Sequence, residues 1–161
     1  LIDILPKSKP MIRLRPHHLI DIIRNIGHER PVEPHPFGHA QHLITGMLLD
    51  GNNHEIMLVA EADDLCAPCE HLNDSGQCRH NLPQLEVNVS KQKYNDALDG
   101  RLFRFFELEP GSVISLRRFL VMIHSRFEEA VPLCLHPEED FDYRRDGLRK
   151  GLVKLKTLSY R

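Results

Sequence analysis

Apolar side chains recur at helical spacing in several stretches of the chain, and residues 16–27 show the clearest boundaries. The apolar positions in this stretch are Leu19, Ile22, Ile23 and Ile26. They follow the i, i+3, i+4, i+7 pattern of one buried helix face. Pro16 is favoured at the first position of a helix, and Gly27 is typical of a helix end. The pattern therefore predicts a helix from Pro16 to Gly27.

Four further segments favour helices in the same way. They cover residues 38–50, 90–98, 116–127 and 146–158. Ser90 and Ser115 are typical N-cap residues for the second and third of these, and Gly100 is expected to end the second. The last is basic and amphipathic, which is typical of a helix that packs one face on its own domain. Residues 131–137 contain two prolines and are expected to be extended.

Two short segments favour β-strands. Residues 12–15 alternate apolar and basic side chains, and residues 55–60 are apolar after the initial Glu55. Residues 28–37 carry three prolines and are expected to be irregular. Together the patterns predict one α+β domain over residues 11–161, mainly helical, with a few short strands and a cysteine-rich metal-binding loop. Residues 1–10 are expected to be a tail.

Composition excludes several classes of protein. The chain has 161 residues, of which 41% are hydrophobic and 27% charged, and its formal net charge is −2. These values give no electrostatic case for binding nucleic acid, and no apolar run approaches the roughly 20 residues of a membrane span. The first residues lack a basic leader, so we expect a reducing cytoplasm and no membrane partner. Eleven histidines are the unusual feature, because histidine is both a common metal ligand and a common acid or base.

Three of the four cysteines lie in one short loop. Cys66, Cys69 and Cys78 have the spacing C-x2-C-x8-C, with a proline between the first two and a glycine turn before the third. Such a loop can direct its sulfurs into one pocket, which favours a metal site. Packed reduced thiols or a disulfide are the alternatives. Asp63 and Asp64, at the start of the loop, are expected to cap its amides.

Two groups of histidines are candidates for chemistry. His17, His18 and Asp21 cluster at the start of the first helix, where they could ligate a metal or bind an anion; alternatively, the histidines cap the helix. His35, His39 and His42 lie near the start of the second helix. They could form a second metal site or an acid/base pair, or simply be solvated.

Two segments taken together resemble a known family. They are residues 12–20, with the sequence IRLRPHHLI, and residues 64–78, with DLCAPC followed by Gly76 and Cys78. The sequence DGL at residues 146–148 is similar to the ending of the same family. From Met11 onward, most of the chain resembles the small bacterial and archaeal proteins of the domain of unknown function 1284 family. The resemblance implies an iron–sulfur cofactor and no particular reaction.

The chain differs from the pattern of that family in two places. Asp21 stands where family members have a cysteine, and Cys134 is the one cysteine left near the C-terminal end. The resemblance thus implies a fourth ligand beside the three loop cysteines, supplied either by Cys134 or by a carboxylate oxygen of Asp21. An aspartate ligand is harder than a thiolate and would leave one iron more open to substrate.

We therefore expect a cytoplasmic iron–sulfur protein, with a [4Fe–4S] cluster favoured over [2Fe–2S], whose redox partner or small-molecule substrate is unknown. Four thiolates suit electron transfer, whereas an iron with a different ligand suits catalysis, with His17 or His18 as acid or base. A structural zinc knuckle in a binding module is one alternative. A metalloenzyme built on His35, His39 and His42 is another. The cysteine spacing is not the C-x3-C-x2-C of radical enzymes that use S-adenosylmethionine.

Overall fold

A computed structural model of the chain describes residues 11–85 and 90–159. Within these ranges the chain forms six helices and a three-stranded sheet. The elements are β1 (Ile12–Leu14), α1 (Pro16–Gly27), α2 (Gln41–Leu48), β2 (Glu55–Leu58), α3 (Lys91–Phe106), β3 (Val113–Ser115), α4 (Leu116–Ser125), α5 (Phe127–Leu133) and α6 (Phe141–Ser159). The predicted mainly helical α+β fold is confirmed. The predicted tail lies outside the described residues.

The sheet has the strand order β1-β2-β3. β1 runs parallel to β2, with Ile12 opposite Ile56, and β3 runs antiparallel to β2, with Ile114 opposite Ile56. These three isoleucines are buried, so one face of the sheet covers the core. Because β1 and β2 are parallel, the residues that follow them emerge at the same edge of the sheet, where open α/β sheets commonly place ligands.

α1 is the central helix, and its most extensive packing is against α6. Its predicted apolar stripe is buried. Where the two helices cross, glycines bring the backbones into contact. A β-carbon on Gly27 would overlap the backbone of Gly147, and one on Gly151 would overlap the carbonyl group of Ile23. Gly27 therefore ends α1 as predicted, and its small size also permits the close approach of α6.

α3 is longer than the sequence predicts. The predicted end at Gly100 is wrong, because the helix continues to Phe106 and ends at Glu107, whose φ of 55° is left-handed. Phe103 and Phe106 are buried helix residues. Their burial offsets the cost of a glycine inside a helix, which is about 1 kcal/mol. The predicted cap is confirmed, since Ser90 Oγ accepts a hydrogen bond from the backbone N–H of Lys93.

Two further predictions, both in the C-terminal half, differ from the structure. Ser115 Oγ caps α4 by accepting a hydrogen bond from the N–H of Arg118 at 3.2 Å, as predicted. The single helix predicted over residues 116–127 is interrupted at Arg126, and α5 then includes Pro132. Residues 131–133 are thus helical, where an extended segment was expected. None of the described helices is long and apolar enough to cross a membrane.

Candidate metal centre

Two aspartates that follow β2 accept hydrogen bonds from the backbone of β1 and of the residue before α1. Asp64 Oδ2 accepts a hydrogen bond from the backbone N–H of Arg13 at 2.7 Å, and Asp63 Oδ2 accepts one from the N–H of Arg15 at 2.8 Å. Asp63 Oδ1 also accepts a hydrogen bond from the N–H of Cys66 at 3.0 Å, which confirms that Asp63 caps the loop. The segments that leave the two parallel strands are therefore bound to each other.

His18 is oriented by the same buried carboxylate. Its Nδ1 lies 2.7 Å from Asp63 Oδ2. Burial opposes ionisation of Asp63, but the charge and hydrogen bond of His18 hold the pKa of this carboxyl well below its usual range. An ionised carboxylate only accepts hydrogen bonds, so Nδ1 of His18 must carry the proton. Whenever the ring carries a single proton, that proton is on Nδ1, and Nε2 offers a free lone pair.

His17 has a parallel arrangement with a different carboxylate. Its Nδ1 lies 2.8 Å from Asp99 Oδ1, and Asp99 also accepts hydrogen bonds from the backbone N–H of His17 and from Arg15. Only 3% of His17 is exposed. Burial and the neighbouring His18 lower the pKa of His17. The alternative that these histidines cap α1 is wrong, because the N-cap is Arg15 and no side chain caps this helix.

His18, Asp63 and Cys66 form a compact group. One ring nitrogen of His18, one oxygen of Asp63 and Sγ of Cys66 all lie within 4.8 Å of one another. Nitrogen, oxygen and sulfur ligands at this spacing fit a transition-metal centre. Burial, followed by the charge of Asp63, raises the pKa of the Cys66 thiol to about 12. Binding a cation here requires loss of this proton.

The other two loop cysteines are carried by a tight turn and a short return. The N–H of Cys69 donates a hydrogen bond to the carbonyl of Cys66 at 2.9 Å, which closes the C-x2-C turn. Cys78 returns beside Leu72 in an isolated antiparallel bridge, and its N–H donates a hydrogen bond to Gln92 on α3. All three loop cysteines are half-buried free thiols, so the disulfide alternative is not what the structure has.

Asp21 and Cys134, the two fourth ligands proposed from the resemblance, lie outside the compact group. Asp21 Oδ1 accepts a hydrogen bond from Arg144 at 2.8 Å and lies 3.5 Å from Arg24. Burial opposes its ionisation, but His136, Arg144 and Arg24 keep the pKa of Asp21 below its usual range. Cys134 is fully buried, and burial raises the pKa of its thiol to about 12. Asp21 therefore already has two arginine partners.

A cavity of about 650 Å³ opens beside His18. Among the described residues, the histidines that line it are His17, His18, His35, His39, His42 and His136. His35 and His39 stack with their ring centroids 4.3 Å apart. His35 is exposed, and His39 and His42 are partly buried. His39 and His42 do not share a helix, because α2 begins at Gln41, three residues later than predicted.

The sequence patterns missed the hydrogen bonds by which two carboxylates orient His17 and His18. The signal for Asp63 was present, since it follows β2 just as His17 and His18 follow β1, and parallel strands bring such residues to one edge. Asp99 carries no comparable signal. It lies 82 residues from His17 in the chain, inside a helix that was predicted to end at the next residue.

Comparison with known proteins matches the chain to one family. The model of a family described as proteins of unknown function, DUF1284, matches residues 36–136. The match includes all four cysteines but neither the His17–His18 segment nor residues 146–148. No curated protein and no solved structure matches the chain.

Proposed function

The chain belongs to the DUF1284 family, and we propose that it binds an iron–sulfur cluster through Cys66, Cys69 and Cys78, with His18 as the fourth ligand. The observation that carries the proposal is the compact group of His18, Asp63 and Cys66. Histidine replaces cysteine on one iron in some known clusters and raises their reduction potential. A cytoplasmic location goes with the proposal, because thiol ligands need a reducing compartment.

Asp63 acts in this proposal as a positioning residue. Its Oδ2 already accepts hydrogen bonds from His18 and from the backbone of Arg15, and its Oδ1 accepts one from the backbone of Cys66. A carboxylate bonded to the far nitrogen of a ligating histidine fixes its tautomer and ring orientation. Asp63 therefore keeps the proton of His18 on Nδ1 and leaves Nε2 free to bind a metal. Both oxygens of Asp63 are already occupied by hydrogen bonds.

The donor set fits a cluster. Cysteines that bind different irons of one cluster lie farther apart than the ligands of one ion, so Cys69 and Cys78 can contribute without joining the compact group. A bound cluster would supply electron transfer or a Lewis-acidic iron. The chain supplies orientation of His18 through Asp63 and a second histidine, His17, whose Nε2 can accept a proton.

A single zinc ion is the second candidate function. The group formed by His18, Asp63 and Cys66 offers nitrogen, oxygen and sulfur atoms within 4.8 Å of one another. The ligands of one tetrahedral zinc have to be this close, because zinc–ligand bonds are about 2.0–2.3 Å long. With these three protein ligands, a zinc centre would keep an open fourth position, and a protein that binds only zinc is colourless.

The test is anaerobic purification followed by a visible absorption spectrum and analysis of iron, sulfide and zinc. We expect a brown parent protein with bound iron and sulfide. His18→Ala is expected to lose most of the cluster, whereas His18→Cys retains it at a lower reduction potential, because thiolate replaces imidazole. His17→Ala is the matched control and is expected to keep the cluster.

Other outcomes would overturn particular parts of the proposal. A colourless protein with one zinc and no sulfide rejects the iron–sulfur cluster in favour of zinc. Cluster loss in Cys134→Ala or Asp21→Ala, with a normal cluster in His18→Ala, assigns the fourth ligand to one of the residues first suggested by the sequence. A parent protein with no metal at all rejects both candidates.

A further inference from the structure

The cavity beside His18 has the size and the polarity of a small-molecule site. Its volume of about 650 Å³ is within the range of ligand pockets in proteins. His17 and His18 lie in its lining, so a molecule bound there would be next to the proposed metal centre. Leu65, from the cysteine loop, lines it as well. The cavity therefore adjoins the proposed centre through His18.

One buried polar atom in the lining of this cavity has no partner in the part of the chain that the structure describes. Nδ1 of His42 is buried and makes no hydrogen bond to a described residue. Buried polar groups are nearly always hydrogen-bonded, so this atom indicates a polar ligand. Asn95, on α3, is 5% exposed and adds an amide to the same lining.

The hydrogen-bonding state of the stacked histidines points to acceptor atoms on that ligand. Nδ1 of His35 accepts a hydrogen bond from the backbone N–H of Phe37 at 3.1 Å, and Nδ1 of His39 accepts one from Gln41 at 3.4 Å. In a neutral ring whose Nδ1 is an acceptor, Nε2 carries the proton. His35 and His39 therefore present N–H donors, and a cation would find no lone pair on their Nε2 atoms.

Charge around His39 favours an anion. Burial is the main reason that the pKa of His39 is lowered to about 4, and the positive charge of Lys91 also contributes, which places that charge close to the His39 ring. Lys91 and Lys154 line the cavity and make no ion pair with any described residue. Lys91 lies at the first position of α3, where a positive charge opposes the helix dipole and is not explained by stability. Three acidic residues also line the cavity: Glu29 and Glu33 are exposed, and Asp21 is already paired with Arg24 and Arg144.

We propose that this cavity binds a small molecule bearing a carboxylate or phosphate group, with Lys91 as its charge partner and Asn95 as an amide donor. Binding itself does not depend on the proposed iron–sulfur cluster; that the ligand is a substrate of the centre does. The cavity thus assigns Lys91, Asn95 and the Nε2–H groups of His35 and His39 to recognition of an oxyanion.

Isothermal titration calorimetry on the purified parent protein tests the proposal, with inorganic phosphate and succinate as probes and glycerol as a neutral control. We expect saturable binding of at least one anion and none of glycerol. Lys91→Met is expected to weaken binding by about tenfold or more, the scale of one lost charge-assisted hydrogen bond. Asn95→Ala is expected to weaken it less. Lys93→Met, on the same helix but outside the cavity lining, is the matched control and should bind like the parent.

The outcomes separate this proposal from its competitors. Tighter binding of phosphate or of succinate identifies the ligand group. Failure of both anions to bind at about ten millimolar, or equal binding by parent and Lys91→Met, overturns the proposal. Zinc binding that is lost in His35→Ala and His39→Ala would make this a cation site and overturn it as well. Cluster content is measured separately by absorption, so the cluster proposal and the anion-site proposal can each be rejected independently of the other.

Discussion

The two histidine pairs of the cavity differ in what lies at Nδ1. His17 and His18 donate Nδ1–H to buried carboxylates, which leaves Nε2 as an acceptor. His35 and His39 accept backbone N–H groups at Nδ1, which leaves Nε2 as a donor. In the two proposals, the same side chain therefore serves a metal or a proton at one end of the cavity and an anion at the other.

The pairs also differ in how firmly they are held. His17 and His18 lie on the central helix and bind aspartates from two other parts of the chain. His35 and His39 lie in the irregular segment before α2 and bind the backbone two residues further on. We expect the first pair to depend on the packing of the whole fold and the second pair only on local structure.

The largest effect is expected for Gly151→Ala. The new β-carbon would overlap the carbonyl of Ile23, so α1 and α6 must separate, and overpacking of this kind destabilises by about 1–3 kcal/mol or more. The shift is transmitted to His17 and His18 at the start of α1. Chemical denaturation should therefore show lower stability, and metal analysis a lower metal content.

Gly46→Ala is the matched control for this prediction. Gly46 lies inside α2, and a β-carbon there has no neighbour within 4 Å among the described residues. Alanine is a better helix former, so this variant is expected to be more stable by about 0.5–1 kcal/mol. Equal effects of the two substitutions would show that the close packing of α1 on α6 does not hold the first histidine pair.

The second prediction concerns Asp63→Asn. An amide can donate to Nδ1 of His18 and so reverse its tautomer, which removes the free lone pair from Nε2. Loss of such a supporting carboxylate typically lowers metal affinity by about 10–100-fold. Asp99→Asn makes the same change at His17 and is expected to leave metal affinity nearly unchanged. Competition with a chelator measures both affinities, and nitrogen NMR of the imidazoles reports the tautomers. Equal losses in the two variants would contradict the assignment of His18 as the ligand.

The sequence predicts those features of the two histidine pairs that depend on neighbouring residues, and it does not predict those that depend on contacts between distant residues. The boundaries of α1, its buried stripe and the cap provided by Asp63 follow from neighbouring residues, and the structure confirms each of them. The supporting carboxylate Asp99 and the ion pair between Asp21 and Arg144 join residues 82 and 123 positions apart. No periodicity encodes such contacts. Gly100 predicts a helix end because glycine is locally unfavourable inside a helix. The helix continues because Phe103 and Phe106 are buried in the core, and the local sequence does not show that tertiary packing.

The tautomers of His35 and His39 were equally hidden from the sequence. They depend on the backbone conformation of an irregular segment, where Gly38 has a φ of 75° and α2 starts later than the apolar periodicity suggests. Three histidines near a helix start therefore suggested metal ligands, whereas the hydrogen bonds at Nδ1 favour an anion.

The smallest effect is expected for the titration of His39. Burial, then the charge of His35, lowers the pKa of His39 to about 4, against an ordinary value of 6.5. Between these two values the unfolded chain binds a proton that the folded chain does not, so His39 makes the protein less stable as the pH falls from 6.5 to 4 and has no such effect above 6.5. Unfolding measured across this range should show a weaker pH dependence in His39→Gln than in the parent. Equal slopes in the two proteins would contradict the lowered pKa.

His35→Gln sharpens this last test, because it removes one cause and leaves the larger one in place. Burial is the main reason for the lowered pKa of His39, and the charge of His35 comes next, ahead of Lys91. The NMR titration midpoint of His39 should therefore move part of the way from about 4 toward 6.5 in His35→Gln. It should move less in Lys91→Met. His17 titrates in contact with Asp99 at the other end of the cavity, and its pKa, lowered by burial and by His18, should be the same in both variants. A matching shift of His17 would mean that the two pairs are coupled through the cavity, and that the local character of the His35–His39 pair is wrong.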